Sequence, residues 1–240
     1  RGVRGEHATP GEFRRTQNWI GAAGSSPETA TYVPPPPHEM TQALSDWERF
    51  LNLRNELPEL VQCALMHEQF EAIHPFLDGN GRVGRLLITL FLMERGRLSQ
   101  PLLYLSVFFE RHRQEYYDRL QAVRTAGDWI GWVRFFVRGV KDISDEAVAR
   151  AGKLMDLRER YRRLLKEHAK AILLLDRLFQ NPYITVARAA RILKTTNPTA
   201  RQAVKRLVDV GMLEETTGRS WGRMFLARPI LRAIEQAPRK

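Results

Sequence analysis

The amino-acid sequence predicts a mostly α-helical protein with one β-hairpin near its start and a smaller helix-turn-helix module near its end. Apolar residues recur at helical spacing through most of the 240 residues. Strand-like runs are confined to residues 16–33 and 212–226. Charge also divides the chain, because residues 1–150 hold 18 Lys and Arg against 19 Asp and Glu, whereas residues 151–240 hold 20 against 8. Such an asymmetry predicts two modules.

Composition is that of a globular protein, since 43% of the residues are apolar and 27% are charged. No run approaches the roughly 18 apolar residues that a membrane helix needs, so we expect no membrane partner. The single cysteine, Cys63, lies in an apolar helical stretch and is expected to be buried. One cysteine cannot form an internal disulfide and suits a reducing, cytoplasmic setting. The chain begins at Arg1 rather than Met, and we expect a truncated or processed N-terminus.

The first 40 residues are rich in Gly, Pro, Ser and Thr. Two short strand-like runs, Thr16–Gly21 and Ala30–Val33, flank a loop with these residue types and predict a hairpin. The following Pro34–Pro37 predicts an extended segment. It is interpreted as a stiff spacer that leads into a helix, although such a run can also be a ligand for a proline-reading module.

Helical periodicity then continues to residue 179. Helices are predicted to begin near His38 or Thr41, near Pro58, after Arg82, at Leu102 and, with Asp128 as N-cap, at Trp129. The helix after Arg82 is apolar nearly all round and is expected at the centre of its domain. Residues 141–179 form a long charged helical stretch. It could connect the modules, mediate a homodimer or pack against the last module.

The last module shows a helix with a Thr185 cap, a turn at 195–198 and a second helix over 199–210. Two strand-like runs, 212–215 and 224–226, follow. This order resembles a winged helix-turn-helix. We therefore expect a first domain over 1–145, a connecting helix over 146–170 and a winged helix-turn-helix over 171–240.

Basic residues in the last module are candidates for DNA binding. Three lie on the second helix and two lie at the hairpin: Arg201, Lys205, Arg206, Arg219 and Arg223. A basic face can also be a solvated surface, and winged helices also bind proteins. Both DNA and another protein therefore stay open as partners of this module.

The twelve residues from His74 to Arg85 contain the chemically informative pattern. They lie between two predicted helices and supply three glycines, Gly79, Gly81 and Gly84, with two arginines, Arg82 and Arg85. A helix N-terminus offers unpaired N–H groups and a partial positive charge, and glycines let an anion approach these groups closely. Guanidinium groups match phosphate oxygens. The pattern therefore predicts a phosphate site.

Two further residues of this stretch suggest a metal and a base. Asp78 would repel a phosphate unless it holds Mg²⁺, and Asn80 can orient either group. His74 is the nearby group that titrates near neutral pH and is the candidate general base. An EF-hand loop would need more oxygen ligands, and a P-loop would need Gly-Lys-Ser/Thr. A plain Asp-x-Asn-Gly turn is the alternative.

The stretch His74–Arg85 resembles the signature of Fic-domain proteins, His-x-Phe-x-Asp/Glu-Gly-Asn-Gly-Arg-x-x-Arg, at every defined position. Segments 10–14, 18–21 and 33–37 upstream, and 108–117 downstream, also look like those of bacterial members. The resemblance covers roughly residues 1–145. It implies a Fic-type helical core with a hairpin flap, and transfer of AMP from ATP to a Ser, Thr or Tyr hydroxyl of a target protein and of the chain itself.

The resemblance also implies roles for individual residues. His74 would deprotonate the hydroxyl, and Asp78 would hold Mg²⁺ on the phosphates. The nucleotide would contact Gly79, Asn80, Gly81, Arg82, Val83, Gly84 and Arg85, with Tyr116 and Tyr117 closing over the adenosine unless they are core aromatics. The flap that holds the target segment would comprise Trp19, Ile20, Gly21, Tyr32 and Val33. Phe76 is expected to anchor the loop in the core.

Two alternatives stay open beside this interpretation. The chain could be a DNA-binding regulator whose Fic domain senses nucleotide, or a Fic enzyme with another phosphate-containing donor. Many family members also carry Ser/Thr-x-x-x-Glu-Gly/Asn on an inhibitory helix, whereas no Glu here is followed by Gly or Asn. This helix is therefore absent, supplied by another chain or lost with the N-terminus. We expect loss, in which case a longer parent would be less active.

Overall fold

The structure is a computed structural model that describes residues 11–22, 24–54, 56–218 and 221–235. The chain divides after Ser144 into two compact units, which are described separately. Most of the described chain is helical, as predicted. Within these residues no helix is both long and apolar enough to cross a bilayer.

The first unit is built from helices joined by short turns. Their bounds are Pro37–Asn52 (α1), Glu59–Ile73 (α2), Asn80–Glu94 (α3), Leu105–Arg111 (α4), Arg113–Ala126 (α5) and Trp129–Leu164 (α6), of which α6 continues past Ser144. α1 begins at the fourth proline of the Pro34–Pro37 run, where a fixed φ suits the first helical turn. The Asp128 cap before α6 is confirmed, since its Oδ1 accepts a bond from the Gly131 N–H at 2.9 Å.

The core of the first unit is formed by α2 together with side chains of α3 to α6. Cys63 is buried as expected, and burial raises the pKa of its thiol. The Trp132 indole is fully buried and donates to the Ala64 carbonyl at 2.8 Å, which fixes α6 against α2. Helix α3 was expected at the centre of its domain, but only one of its sides is covered by the described residues. Ile88 faces the core, whereas Leu86 lies on the uncovered side and is more than half exposed.

The second unit combines four further helices with a small sheet. Its elements after α6 are Ala169–Leu178 (α7), Tyr183–Thr185 (β1), Val186–Leu193 (α8), Asn197–Asp209 (α9), Glu214–Glu215 (β2), Met224–Leu226 (β3) and Arg228–Glu235 (α10). The antiparallel sheet has the order β1-β3-β2, and both Ile184 and Glu215 pair with Phe225. The Thr185 cap is confirmed by a 3.2 Å bond from the Arg188 N–H to its hydroxyl oxygen.

The structure differs from the prediction at four places. The charged stretch 141–179 is not one helix, because a turn after Leu164 separates α6 from α7. The segment after Leu102 divides at His112 into α4 and α5. Strand β1 and helix α10 were not predicted. The two helix breaks contain neither glycine nor proline, so the usual sequence signals are missing there, whereas Pro229 in the first turn of α10 was an available signal for a helix start.

Candidate active site

The candidate site is the turn that joins α2 to α3. α2 ends at His74, whose backbone is left-handed with φ 49° and ψ 58°. Such a conformation is uncommon for a residue with a Cβ and is held only by surrounding contacts. Gly79, with φ 90°, precedes the first residue of α3. The predicted base and the predicted phosphate turn therefore lie at the two ends of one short loop.

A buried amide closes this loop. Asn80 is 2% exposed. Its Oδ1 accepts from the Phe76 N–H at 2.8 Å, and its Nδ2 donates to the Phe76 carbonyl at 2.7 Å. The side chain is thus occupied within the loop. Its backbone N–H is free of such contacts with the described residues.

The N-terminus of α3 offers free donors. The first backbone bond into this helix runs from the Val83 N–H to the Gly79 carbonyl at 3.0 Å. The amides of Asn80, Gly81 and Arg82 make no hydrogen bond to any residue that the structure describes. A 15-residue helix with unpaired N–H groups at its start attracts an anion.

Asp78 and Arg82 pair with each other beside these amides. Arg82 Nη2 lies 3.0 Å from Asp78 Oδ2, and Asp78 Oδ1 accepts from the Gly79 N–H at 2.6 Å. Both side chains are partly exposed, so the pair is a weak one that a stronger partner can replace. The predicted metal ligand and the predicted phosphate ligand are thus adjacent and accessible.

Arg85 lies one helical turn further on. Gly81 leaves room for its guanidinium, since a Cβ there would lie 3.0 Å from Arg85 Nη1. Arg85 makes no hydrogen bond or ion pair to any described residue, and it lines a cavity of about 600 Å³. Both predicted tyrosines line the same cavity. Arg85 is the only residue of the described 74–85 stretch that lines this cavity, and the other lining residues lie on α4 and α5.

The two tyrosines differ in their surroundings. Tyr116 is 5% exposed, and its hydroxyl lies 3.0 Å from Nε2 of the buried His67. Tyr117 is half exposed, with the Arg113 guanidinium 5.9 Å above its ring. Tyr116 is thus both a core aromatic and a cavity wall, and Tyr117 lies at the cavity opening.

Gly84 and Val83 do not line this cavity. Gly84 is buried against α2, where a Cβ would lie 2.7 Å from Glu71 Oε1 and 3.2 Å from His67 Cε1. It lets the two helices approach closely. Its position indicates a packing role more directly than contact with a nucleotide.

The imidazole of His74 is kept neutral. Burial, assisted by the charges of Arg124 and Arg14, lowers its pKa to about 4. Its Nδ1 lies 3.3 Å from the Glu71 carbonyl oxygen. Because a carbonyl only accepts, Nδ1 must carry the proton in this contact, and the lone pair is then on Nε2. Such an imidazole can accept a proton at neutral pH.

Two buried carboxyl groups near His74 were not predicted as site residues. Glu71 is 7% exposed, and burial raises its pKa to about 7 although Arg85 and Arg124 act in the opposite direction. Glu68 is 1% exposed and pairs with Arg124 at 3.8 Å. The sequence did contain a signal for these two groups, because they are acidic residues three positions apart within an apolar helical stretch.

The predicted hairpin is present, but as a single bridged pair. The Ile20 N–H donates to the Tyr32 carbonyl at 2.8 Å, and the Tyr32 N–H donates to the Ile20 carbonyl at 3.0 Å. The Trp19 indole bonds to the Ser25 carbonyl at 2.7 Å across the loop. Trp19 and Val33 expose about two fifths of their surface. The Gly21 position lies against Ser25, which leaves little space for a side chain.

The hairpin is anchored to the end of α2. The Tyr32 hydroxyl donates to the Ala72 carbonyl at 3.0 Å, and the Arg124 guanidinium lies 3.9 Å above its ring. Asn18 Nδ2 donates to the Phe76 carbonyl at 3.1 Å. The structure therefore brings the flap residues and His74 together at one end of α2.

No group of three His, Cys, Asp or Glu side chains in the described ranges could hold an ion. Asp78 nevertheless fits Mg²⁺, which is commonly held by one or two carboxylates with water and substrate phosphates completing its shell.

The predicted DNA-binding residues belong to the second unit. Arg201, Lys205 and Arg206 are exposed on α9, and none of them forms an ion pair with a described residue. Arg223 pairs with Glu215 at 3.6 Å beside the β2–β3 hairpin. Arg219 lies outside the described residues.

Comparison with known proteins gives one family. Residues 3–92 match the model of the Fic/DOC family. Curated proteins named "Protein adenylyltransferase Fic" are similar to this chain over 58% of its length: that of Culex quinquefasciatus is 35% identical over 141 residues and that of Aedes aegypti is 34% identical over 141. The chain spans 24% of the length of each of these two proteins.

A solved structure extends the likeness of fold beyond the matched region. A crystal structure of a Fic family protein from Desulfovibrio desulfuricans G20 superimposes with a TM-score of 0.56 at 23% identity. The superposition covers 93% of this chain and 64% of that one. The match over residues 3–92, the curated relatives and the complete His74–Arg85 signature agree, and this part of the chain is therefore similar to proteins of the Fic/DOC family.

Proposed function

We propose that this chain is a protein adenylyltransferase, which transfers AMP from ATP to a Ser, Thr or Tyr hydroxyl of a target protein and of itself. The observation that supports this proposal most directly is that one short loop joins the neutral His74 to the unpaired amides at the start of α3. The names of the curated relatives support the same activity at the level of the family.

The proposed reaction uses His74 as general base. The target hydroxyl oxygen forms a bond to the α-phosphorus of ATP, the bond from that phosphorus to the oxygen bridging to the β-phosphate breaks, and pyrophosphate leaves. Nε2 of His74 takes the hydroxyl proton. A general base must be in its neutral form to accept the proton, and burial of His74 populates that form at neutral pH.

The phosphates would lie at the start of α3. The free amides there and the two arginines Arg82 and Arg85 supply donors around one anion site. Arg82 would exchange its contact with Asp78 for a phosphate. The adenosine would extend into the cavity of about 600 Å³, between Tyr116 and Tyr117 on one side and α4 on the other.

Asp78 would hold Mg²⁺ at the same turn. Mg²⁺ bound there neutralises phosphate charge. The carboxylate is free for this role once Arg82 turns to the phosphates, because Oδ2 then has no other partner among the described residues.

The target segment would pair with the flap. A hairpin with one bridged pair leaves the backbones of Trp19 and Val33 without hydrogen bonds to other backbone groups of the described residues, and an extended peptide can add a strand to such an edge. The flap is tied to α2 next to His74 through Tyr32 and Asn18. A hydroxyl on the added segment would then face the base.

The test is incubation with Mg²⁺ and ATP labelled at the α-phosphate. His74→Ala should retain ATP binding and lose about 10²–10⁴ in the rate of transfer. His38→Ala is the matched control, because His38 is exposed and contacts only Glu39 among the described residues. Unchanged labelling by His74→Ala would remove the assignment of His74.

A different phosphate-containing donor is the alternative within the same chemistry. An excess of unlabelled CTP, GTP or UTP should leave transfer from labelled ATP nearly unchanged if ATP is the donor. Strong competition by another nucleotide would reassign the donor and leave the role of His74 intact.

We also propose a winged helix-turn-helix over residues 171–240, with DNA as its partner. The order α7, β1, α8, α9, β2, β3 and the unpaired cations of α9 favour it. The chain would then be a regulator whose Fic domain senses nucleotide, or an enzyme directed to DNA. Another protein is the alternative partner, and a homodimer also stays a prediction that light scattering can measure.

A further inference from the structure

Arg14 is a buried cation beside the candidate active site. It is 2% exposed although it lies in an irregular segment before the flap. No carboxylate pairs with it among the residues described. Burial lowers its pKa, so keeping the guanidinium in this place carries a cost that its contacts must offset.

The contacts of Arg14 are all with backbone carbonyl groups. Its Nε donates to the His74 carbonyl at 2.9 Å, and its Nη2 lies 3.4 Å from the Ile73 carbonyl oxygen. The Arg14 N–H itself donates to the Pro75 carbonyl at 2.9 Å. One residue thus binds three consecutive carbonyl groups at the end of α2. A cation at the carbonyl end of a helix is favourable, and here it also holds the left-handed turn of His74.

The same guanidinium also holds the flap at both of its ends. Nη1 lies 3.4 Å from the Thr16 carbonyl oxygen, which precedes the hairpin, and Nη2 bonds to the Pro35 carbonyl, which follows it. Gln17 adds a cross-link, since its Nε2 donates to the Pro34 carbonyl at 2.9 Å. Arg14 therefore joins the base of the flap to the backbone of His74.

Arg14 makes none of its hydrogen bonds to the nucleotide side of the site. Its described partners are residues 16, 35 and 73–75, whereas the phosphate turn comprises residues 78–85 and the cavity wall lies on α3 to α5. Loss of Arg14 should therefore change the relation between flap and base more than the grip on the nucleotide.

We propose that Arg14 is a positioning residue, which fixes the distance between the target segment on the flap and His74. The inference rests on the proposed adenylyltransferase function. Because transfer requires the hydroxyl, the base and the α-phosphorus in line, a displacement of about 1 Å can cost about 100-fold in rate.

The test compares Arg14→Lys with the wild type in three measurements: affinity for ADP with Mg²⁺, the KM for a target peptide or protein, and the rate of transfer from labelled ATP. Lysine keeps the charge but cannot reach carbonyls on both sides at once. We expect nucleotide affinity within about twofold of the wild type, with transfer slowed about 10–100-fold. Arg15→Lys is the matched control, because Arg15 is exposed and pairs only with Glu12 among the described residues.

A double variant separates positioning from general destabilisation. If Arg14 acts through His74 and the flap, Arg14→Lys should slow transfer far less in a His74→Ala background than in the wild type. Equal losses in both backgrounds, or a loss of nucleotide affinity as large as the loss of transfer, would overturn the inference.

The outcomes also distinguish this inference from the proposed function. If the wild type transfers AMP and Arg14→Lys transfers it equally fast, only the role of Arg14 is overturned. If the wild type transfers no AMP to any acceptor, the proposed function is overturned, and the positioning role is overturned with it.

Discussion

At the scale of single residues, the state of His74 explains how the site can work at neutral pH. The motif identified the base, but its spacing could not give the left-handed backbone or the neutral form. The backbone of His74 is held by Arg14, which is distant in sequence, and the neutral form follows from burial, with the charges of Arg124 and Arg14 acting in the same direction. The pKa of a side chain depends on how deeply the folded protein buries it, and a short sequence motif carries no information about that burial.

The lowered pKa of His74 predicts the acid limb of the pH profile. Because kcat/KM for ATP reports the free enzyme, the limb that disappears in His74→Ala should fall near pH 4 rather than near 6.5. The stability of the folded state should also decrease as the pH falls. A histidine with a depressed pKa contributes stability above about pH 6.5 that is lost as the pH falls toward about 4. A limb near 6.5 in steady-state kinetics would contradict the buried neutral base.

The close packing at Gly84 predicts that adding a single methyl group there destabilises the fold. In Gly84→Ala the new Cβ would lie 2.7 Å from Glu71 Oε1, so α2 and α3 must shift. We expect a loss of about 1–3 kcal/mol in the free energy of unfolding. Gly152→Ala is the matched control, because nothing lies within 4 Å of a Cβ there and alanine favours the helix by about 0.5–1 kcal/mol. Urea unfolding followed by circular dichroism measures both, and equal effects would contradict the tight contact.

At the scale of elements, periodicity identified most helices, because each helix of the first unit buries an apolar face or is bounded by Pro or Gly. Periodicity did not predict the elements whose ends or existence depend on tertiary contacts. The turn after Leu164 contains no breaker, and the bond from the His168 N–H to the Leu165 carbonyl at 2.7 Å belongs to a turn that no pattern signals. Strand β1 exists only because β3 pairs with it.

Helix α2 carries a further prediction, since it buries charged groups within the core. Glu71, with a raised pKa, favours the folded state below about pH 4.5, and this contribution is lost as the pH rises through about 7. Glu71→Gln has no ionisable group at this position, so its stability lacks this dependence on pH. The difference in free energy of unfolding, variant minus wild type, should therefore grow between about pH 4.5 and 7 and then level off. A difference that is constant with pH would show that Glu71 is not held in its protonated form.

At the scale of the whole molecule, charge and chemistry belong to different units. The first unit contains the complete signature and is near neutral, whereas the basic excess lies after residue 150. The family signature was readable from twelve residues because phosphate binding requires specific atoms at fixed spacing. The partner of the second unit could not be identified from the sequence in the same way, because a basic surface fits several ligands. Only the lack of acidic partners for the α9 cations, among the described residues, narrows that choice.

The α9 cations give the last prediction, which concerns DNA. If they contact phosphates, the logarithm of affinity for a duplex should fall with the logarithm of salt concentration, by about 0.9 for each phosphate. Arg201→Gln should lower the steepness by about one such unit on every duplex if it binds a phosphate, and should instead relax preference for one base if it reads a base edge. Arg177→Gln is the matched control, since Arg177 lies on α7 and bonds to Gln180 at 3.1 Å. Fluorescence anisotropy at several salt concentrations measures these slopes. A flat response, or no binding to any duplex, would leave a protein surface as the partner of α9.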